Sequence, residues 1–221
     1  STVGCEYAIG ATTTTVTGTS DINGDLSIST GTYNALGATD IDGTLTITNT
    51  GVYDADNTFT AATGAVTFTG AGFLRCDNTV TDLGTLSTGA GTVEYDGGTQ
   101  NILADDYYNL VIDQSGNKTA QGAINVANDM TISNSATYLT GANTTDVNGA
   151  TVISATLDIN ATNGIFQADG SFTAASGIIN FSGNGTLKLE NSPTSLGSLD
   201  NTNGKVTYKG CLLYTSPSPR D

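Results

Sequence analysis

The chain runs to 221 residues, carries 21 acidic against 6 basic side chains for a net charge of −15, and contains neither Trp nor His. So little positive charge excludes the Lys/Arg patches by which proteins hold nucleic acid or anionic membrane, and leaves a solvated acidic surface. Only 7% of residues are aromatic and 12% charged, a Gly, Thr, Asn and Ser texture that fits one all-β domain and gives an enzyme core little to pack.

In chain order, the start has Ser1 in place of an initiator Met, so it is expected to be processed or cut from something longer. No charged-then-apolar leader opens the chain and no apolar run approaches the ~18 residues of a membrane helix, so no membrane insertion of this segment is expected. Cys5 and Cys76 lie far apart without metal-ligand spacing. A disulfide between them is the minor reading; the major one makes Cys76 a small core hydrophobe.

Short apolar-polar alternations then recur to the end: "LSI" at 26–28, "LTIT" at 45–48, "VTFT" at 66–69, "VEY" at 93–95, "LVI" at 110–112, "LDI" at 157–159, "LKL" at 187–189 and "VTY" at 206–208. Each is a strand of period two with one face buried. Between them lie Asn23-Gly24, Asp42-Gly43 and Gly97-Gly98, pairs read as turns with positive φ. No 3.6-residue apolar stripe is present.

Repeats decide the kind of β structure. "SDINGDLSIS" (20–29) returns 19 residues later as "TDIDGTLTIT" (39–48), with a fainter echo at "TDVNGATVIS" (145–154). A unit of ~20 residues cannot bury its own apolar face and must stack on neighbours. At longer range, 59–97 aligns without gaps with 172–210, an offset of 113 residues, and the match extends upstream so that about 51–97 repeats as 164–210. Apolar and aromatic residues and glycines stay put in this block while charges drift: Asp96 becomes Lys209, Glu94 becomes Thr207 and Asp82 becomes Ser195.

The predicted fold is therefore all-β, a right-handed parallel β-helix or β-solenoid with coils of about 20 residues spanning 1–210, roughly ten coils at ~4.8 Å each. The alternative is a tandem of β-sandwich modules, which explains the long repeat but not the short one.

The segment 91–133 resembles a unit of large repetitive secreted bacterial surface proteins, in which "G-T-V-x-[FY]-x-G" leads into "[FY]-Y-N-L-x-I". Gly91, Thr92, Val93, Tyr95 and Gly97 match the first part, and Tyr107, Tyr108, Asn109, Leu110 and Ile112 the second. Such proteins, adhesin-like or autotransporter-passenger-like, are exported β-solenoids. The resemblance implies a structural or adhesive segment of an extracellular or cell-surface protein, with surface glycans, other cell-surface proteins and the remainder of its own longer chain as partners. It supplies no catalytic residues.

Two other function classes are weaker. A carbohydrate-active β-helix, lyase or glycosidase, needs a base beside an acidic cluster or two carboxyls across the sugar bond. Ahead of residue 211 the bases are Arg75, Lys118, Lys188, Lys205 and Lys209, and Asp105-Asp106 is the one adjacent acidic pair. Arg75 aligns with Lys188 as an outward solvated charge and Asp105-Asp106 reads as a loop, so no enzyme is expected. Ice or crystal-surface binding, invited by the Thr-rich runs 11–19 and 44–48, needs an unbroken Thr ladder. Asp25 falls opposite Thr44 and breaks it.

No cofactor is expected. Weak Ca²⁺ candidates are Asp21, Asn23, Asp25, Asp40 and Asp42, whose alternate spacing offers oxygen ligands without the sixth-place glycine or distal Glu of an EF-hand loop.

The pattern stops at Gly210. "CLLYTSPSPRD" (211–221) resembles a translated transposase sequencing adapter, so the natural chain is expected to continue differently from there.

Overall fold

The computed structural model describes residues 7–87, 89–200 and 202–209; Cys5 and the segment 211–221 lie outside them. Within these residues every strand pairs in parallel and no helix occurs. The chain winds as a β-solenoid of short stacked coils. Tandem β-sandwiches, which require antiparallel sheets, are excluded.

A coil gives one strand to each of three sides. Leu26–Ile28 lies on the first side, Thr32–Ala35 on the second and Thr39–Ile41 on the third, and the next coil follows with Thr44–Ile47, Val52–Ala55 and Phe59–Thr60. Leu26 faces Leu45 and Leu45 faces Val66, steps of 19 and 21 residues. The 19-residue echo is thus one turn of the coil, with Ser20 on Thr39 and Ile28 on Ile47.

Period-two alternation sends every second side chain inward. Leu26, Ile28, Leu45, Ile47, Val66 and Phe68 fill the first side of the core; Tyr33, Ala35, Tyr53, Ala55, Leu74 and Cys76 fill the second. Tyr33 stacks on Tyr53 at 5.1 Å between ring centroids, and Phe59 meets Tyr53 edge-on at 5.8 Å. A buried phenol needs a partner. Inward Ser and Thr of the third side supply it, Ser20 Oγ to Tyr33 Oη at 3.2 Å and Thr39 Oγ1 to Tyr53 Oη at 2.9 Å. In the later coils Tyr138 finds Thr145 at 2.7 Å.

The corners differ from the expected turns. Positive-φ glycines among the described residues are Gly84, Gly116, Gly141 and Gly197, none of them in the pairs singled out by sequence. Gly43 is required for closeness instead: a Cβ there would lie 2.0 Å from the carbonyl oxygen of Gly24 in the coil beneath. Stacked backbones, with no hairpin between them, explain these glycines.

The second side is one continuous sheet of nine strands, whereas the first and third sides are each divided into two sheets. The division falls where the coil is shortest, Thr92 facing Asn109 only 17 residues on. Across this seam Thr92–Tyr95 pairs with Asn109–Ile112 on the second side, but Thr85–Leu86 and Val80–Asp82 have no strand partner in the later coils. Inward polar side chains take the backbone groups left over. Gln100 Nε2 donates to the carbonyls of Cys76 (2.7 Å) and Asn78 (2.6 Å), and its Oε1 accepts from Gly97 N–H. Lys118, wholly buried, donates to the carbonyls of Gly97 (2.6 Å) and Gln114 (2.7 Å). The Tyr95 hydroxyl accepts from Leu103 N–H, and the Tyr107 hydroxyl donates to Leu103 C=O.

The long repeat does not return to the same side. Phe73–Cys76 belongs to the second side, but its counterpart Thr186–Leu189 belongs to the first; Ala65–Phe68 of the first side returns as Ile178–Asn180 of the third. What repeats is a run of strands and corners shifted by one side.

Candidate functional site: an acidic corner

Each strand of the second side from Val52–Ala55 to Asn109–Ile112 is followed directly by an aspartate: Asp56, Asp77, Asp96 and Asp113. Their N–H groups bond to Ala35, Ala55, Cys76 and Tyr95 carbonyls one coil back, so the four carboxylates stack along one edge of the rod. One strand position earlier, outward Asp54, Arg75 and Glu94 are in direct register. Arg75 Nε donates to Glu94 Oε2 at 2.9 Å and its guanidinium lies 5.5 Å from the centre of the Phe73 ring.

Among the described residues, Asp54, Asp56 and Asp77 are the acids whose oxygens come together, within 4.8 Å of one another. That is the donor set a hard cation takes. Burial and the hydrogen bond and charge of Asp77 push the Asp96 carboxyl up to about 8. Burial, then the charge of Asp77, also raises Asp56, and burial with Asp77 and Asp56 raises Asp54. Proton sharing between stacked acids is what their spacing dictates.

The repeat contains the same corner in another charge state. Positions 54, 56, 75, 77, 94 and 96 return as Gln167, Asp169, Lys188, Glu190, Thr207 and Lys209. Lys209 Nζ meets Glu190 Oε1 at 2.9 Å. Where the first copy crowds carboxylates, the second places an ammonium.

The sequence-predicted residues are arranged otherwise. Asp21 and Asp40 are stacked and exposed on the third side. Asn23 donates to Asp21 at 2.7 Å, Asp25 accepts from the N–H of Thr44 at 3.1 Å, and Asp42 accepts from the Thr63 hydroxyl. These side chains do not converge on one point; they cap their own corners. Asp25 does sit opposite Thr44, yet Ser27, Thr46 and Thr67 in the neighbouring column remain aligned. Asp105 accepts from Asp106 N–H, and Asp106 accepts from Asn125 at 2.6 Å. Arg75 and Lys188 both point outward from their strands.

Sequence reasoning missed the aspartate column and the buried roles of Gln100 and Lys118. The signal for the column was present as "ADN", "CDN", "YDG" and "IDQ" at the ends of four strands, but coils of unequal length hide its period. Cys76 carries a buried free thiol between Ala55 and Tyr95 in the ladder, as a core hydrophobe would. No family model, curated protein or solved structure matches the chain.

Proposed function

We propose that this chain is a structural and adhesive segment of a larger exported bacterial surface protein, a rod without chemistry of its own whose outer faces touch glycans or other surface proteins outside the cell. The observation that carries the reading is the shifted repeat. Inward Phe59, Phe68, Leu74 and Leu83 return as Phe172, Phe181, Leu187 and Leu196, while outward Asp54, Glu94 and Asp96 return as Gln167, Thr207 and Lys209 on a different side. Selection on a binding or catalytic face would keep outward residues on one side. Selection on stacking keeps inward residues and is indifferent to the side.

Aligned hydroxyls such as Ser27, Thr46 and Thr67 supply donors and acceptors suited to a hydroxylated partner. The test is a glycan array and a cell-surface binding assay with the purified chain, run beside an activity screen on acidic and neutral polysaccharides. Retention without turnover is expected. Catalytic chain cleavage of any polysaccharide by the chain would sink the reading.

A further inference from the structure

We propose that the seam near residues 96–108 is a built-in yield point that divides the rod into two cooperative units, hinged on the second side. Solenoid stability is close to a sum of coil terms and nearest-neighbour interface terms. An ordinary interface here has backbone ladders on all three sides: the coil of Thr44–Ile47, Val52–Ala55 and Phe59–Thr60 is paired in register to the next by Ala65–Phe68, Phe73–Cys76 and Val80–Asp82. The seam keeps one, between Thr92–Tyr95 and Asn109–Ile112.

On the other two sides the polar links across it are side chains. Gln100 reaches back to the Cys76 and Asn78 carbonyls, and the Tyr95 hydroxyl meets both Tyr107 Oη at 3.2 Å and Leu103 N–H. The edges Val80–Asp82 and Thr85–Leu86 above face Gln100–Ile102 and Asp106–Tyr107 below without a shared ladder. Cooperative units in a protein end where such coupling is weakest. Tension or bending therefore opens the first and third sides there, and the paired strands of the second side act as the hinge. This follows from the stacking geometry and stands whatever the outer faces bind.

The test is hydrogen exchange read by mass spectrometry across a urea titration of the full chain, wild type against Leu45→Ala. Leu45 is wholly buried in the earlier unit. If the seam uncouples the units, peptides covering 26–76 lose protection at lower urea in the variant, while peptides covering 124–189 keep the wild-type midpoint. An equal shift of both sets shows one cooperative rod and overturns the proposal. Should Leu45→Ala not fold, Ile47→Val makes the same comparison with a smaller deletion, and its two outcomes are judged in the same way.

Discussion

Asp96 and Lys118 occupy one stretch of the rod and respond to burial in opposite ways. Burial and Asp77 raise the Asp96 carboxyl to about 8 from an ordinary value of 3.8, so the folded chain keeps a proton that the unfolded chain releases. Between about pH 4 and pH 8 the folded state binds more protons, and stability must fall as pH rises through that window. Raised Asp54, Asp56, Asp105 and Asp146 act in the same direction. Thermal melts are expected to give a higher Tm at pH 5 than at pH 8, the reverse of ordinary acid denaturation. Asp96→Lys copies the arrangement of Lys209 with Glu190 and should flatten that slope, gaining about 1 kcal/mol at pH 8, a partly screened value; an unchanged slope would show that Asp96 is not its source. Burial lowers Lys118, whose ammonium has two carbonyls and no carboxylate in hydrogen-bond contact. Lys118→Ala should cost about 2–4 kcal/mol in urea unfolding, through orphaned carbonyls and lost packing. Lys118→Met keeps the stem and should recover only part of it. A near-neutral Lys118→Ala would mean that water replaces the ammonium. Neither residue was legible beforehand, because its environment is made by chain 17 to 24 residues away. The drift from Asp82 to Ser195 was legible but misread: both oxygens accept from the glycine two residues on, Gly84 at 2.7 Å and Gly197 at 3.1 Å, so the hydrogen bond was retained as the charge was lost.

Strands and corners were read unevenly, for a physical reason. "LTIT" and "VTFT" were legible because both inward positions are apolar and both outward ones polar. Thr39–Ile41 and Gln100–Ile102 were not, because the first inward residue of each is polar, Thr39 bonded to Tyr53 and Gln100 to three backbone groups. Three such short strands per coil look like one strand and two loops, so the number of sides was beyond the sequence although the coil length was not. Corner glycines were recognised, but for φ when closeness is what several of them need. Gly91 is the clearest: a Cβ would lie 2.0 Å from the Phe68 ring of the preceding coil, and Gly204 stands in the same relation to Phe181 at the repeated positions. The pair is a single device, a bare backbone letting a large ring close the coil above it. Gly91→Ala should therefore cost about 1–3 kcal/mol by overpacking. Phe68→Leu, destabilising alone, should offset part of that cost in the double variant, giving a favourable coupling in a denaturation cycle. Strict additivity would mean that the ring moves aside freely and that the repeated pairing has no packing role.

At the scale of the whole rod, the two repeats carry different information. The 19-residue echo marks one turn and preserves the side; the 113-residue block preserves the order of strands and not the side. Strands built to one inward pattern are thus nearly interchangeable among the three sides, as expected where each coil is held chiefly by its neighbours. Length changes should be tolerated when they remove whole turns and not when they remove part of one. Deleting residues 44–64 joins Gly43 to Ala65, which is the register partner of Thr44. Val66 and Phe68 then come to lie over Leu26 and Ile28, Leu74 over Tyr33 and Val80 over Thr39, so the inward positions stay filled. The cost is confined to lost pairs such as Thr39 with Tyr53, on the order of 1–2 kcal/mol or a few degrees of Tm for a chain of this size. Deleting only residues 44–54 removes the same kind of sequence but moves the following strands off their sides, and every later coil must slip or unfold. Circular dichroism melts of the two deletions separate the cases: a cooperative β-rich transition near that of the parent for the whole-turn deletion, and loss of the transition for the partial one. Equal damage from both would mean that the coils are individually fitted to their neighbours, and that the shifted repeat owes its survival to something other than interchangeable stacking.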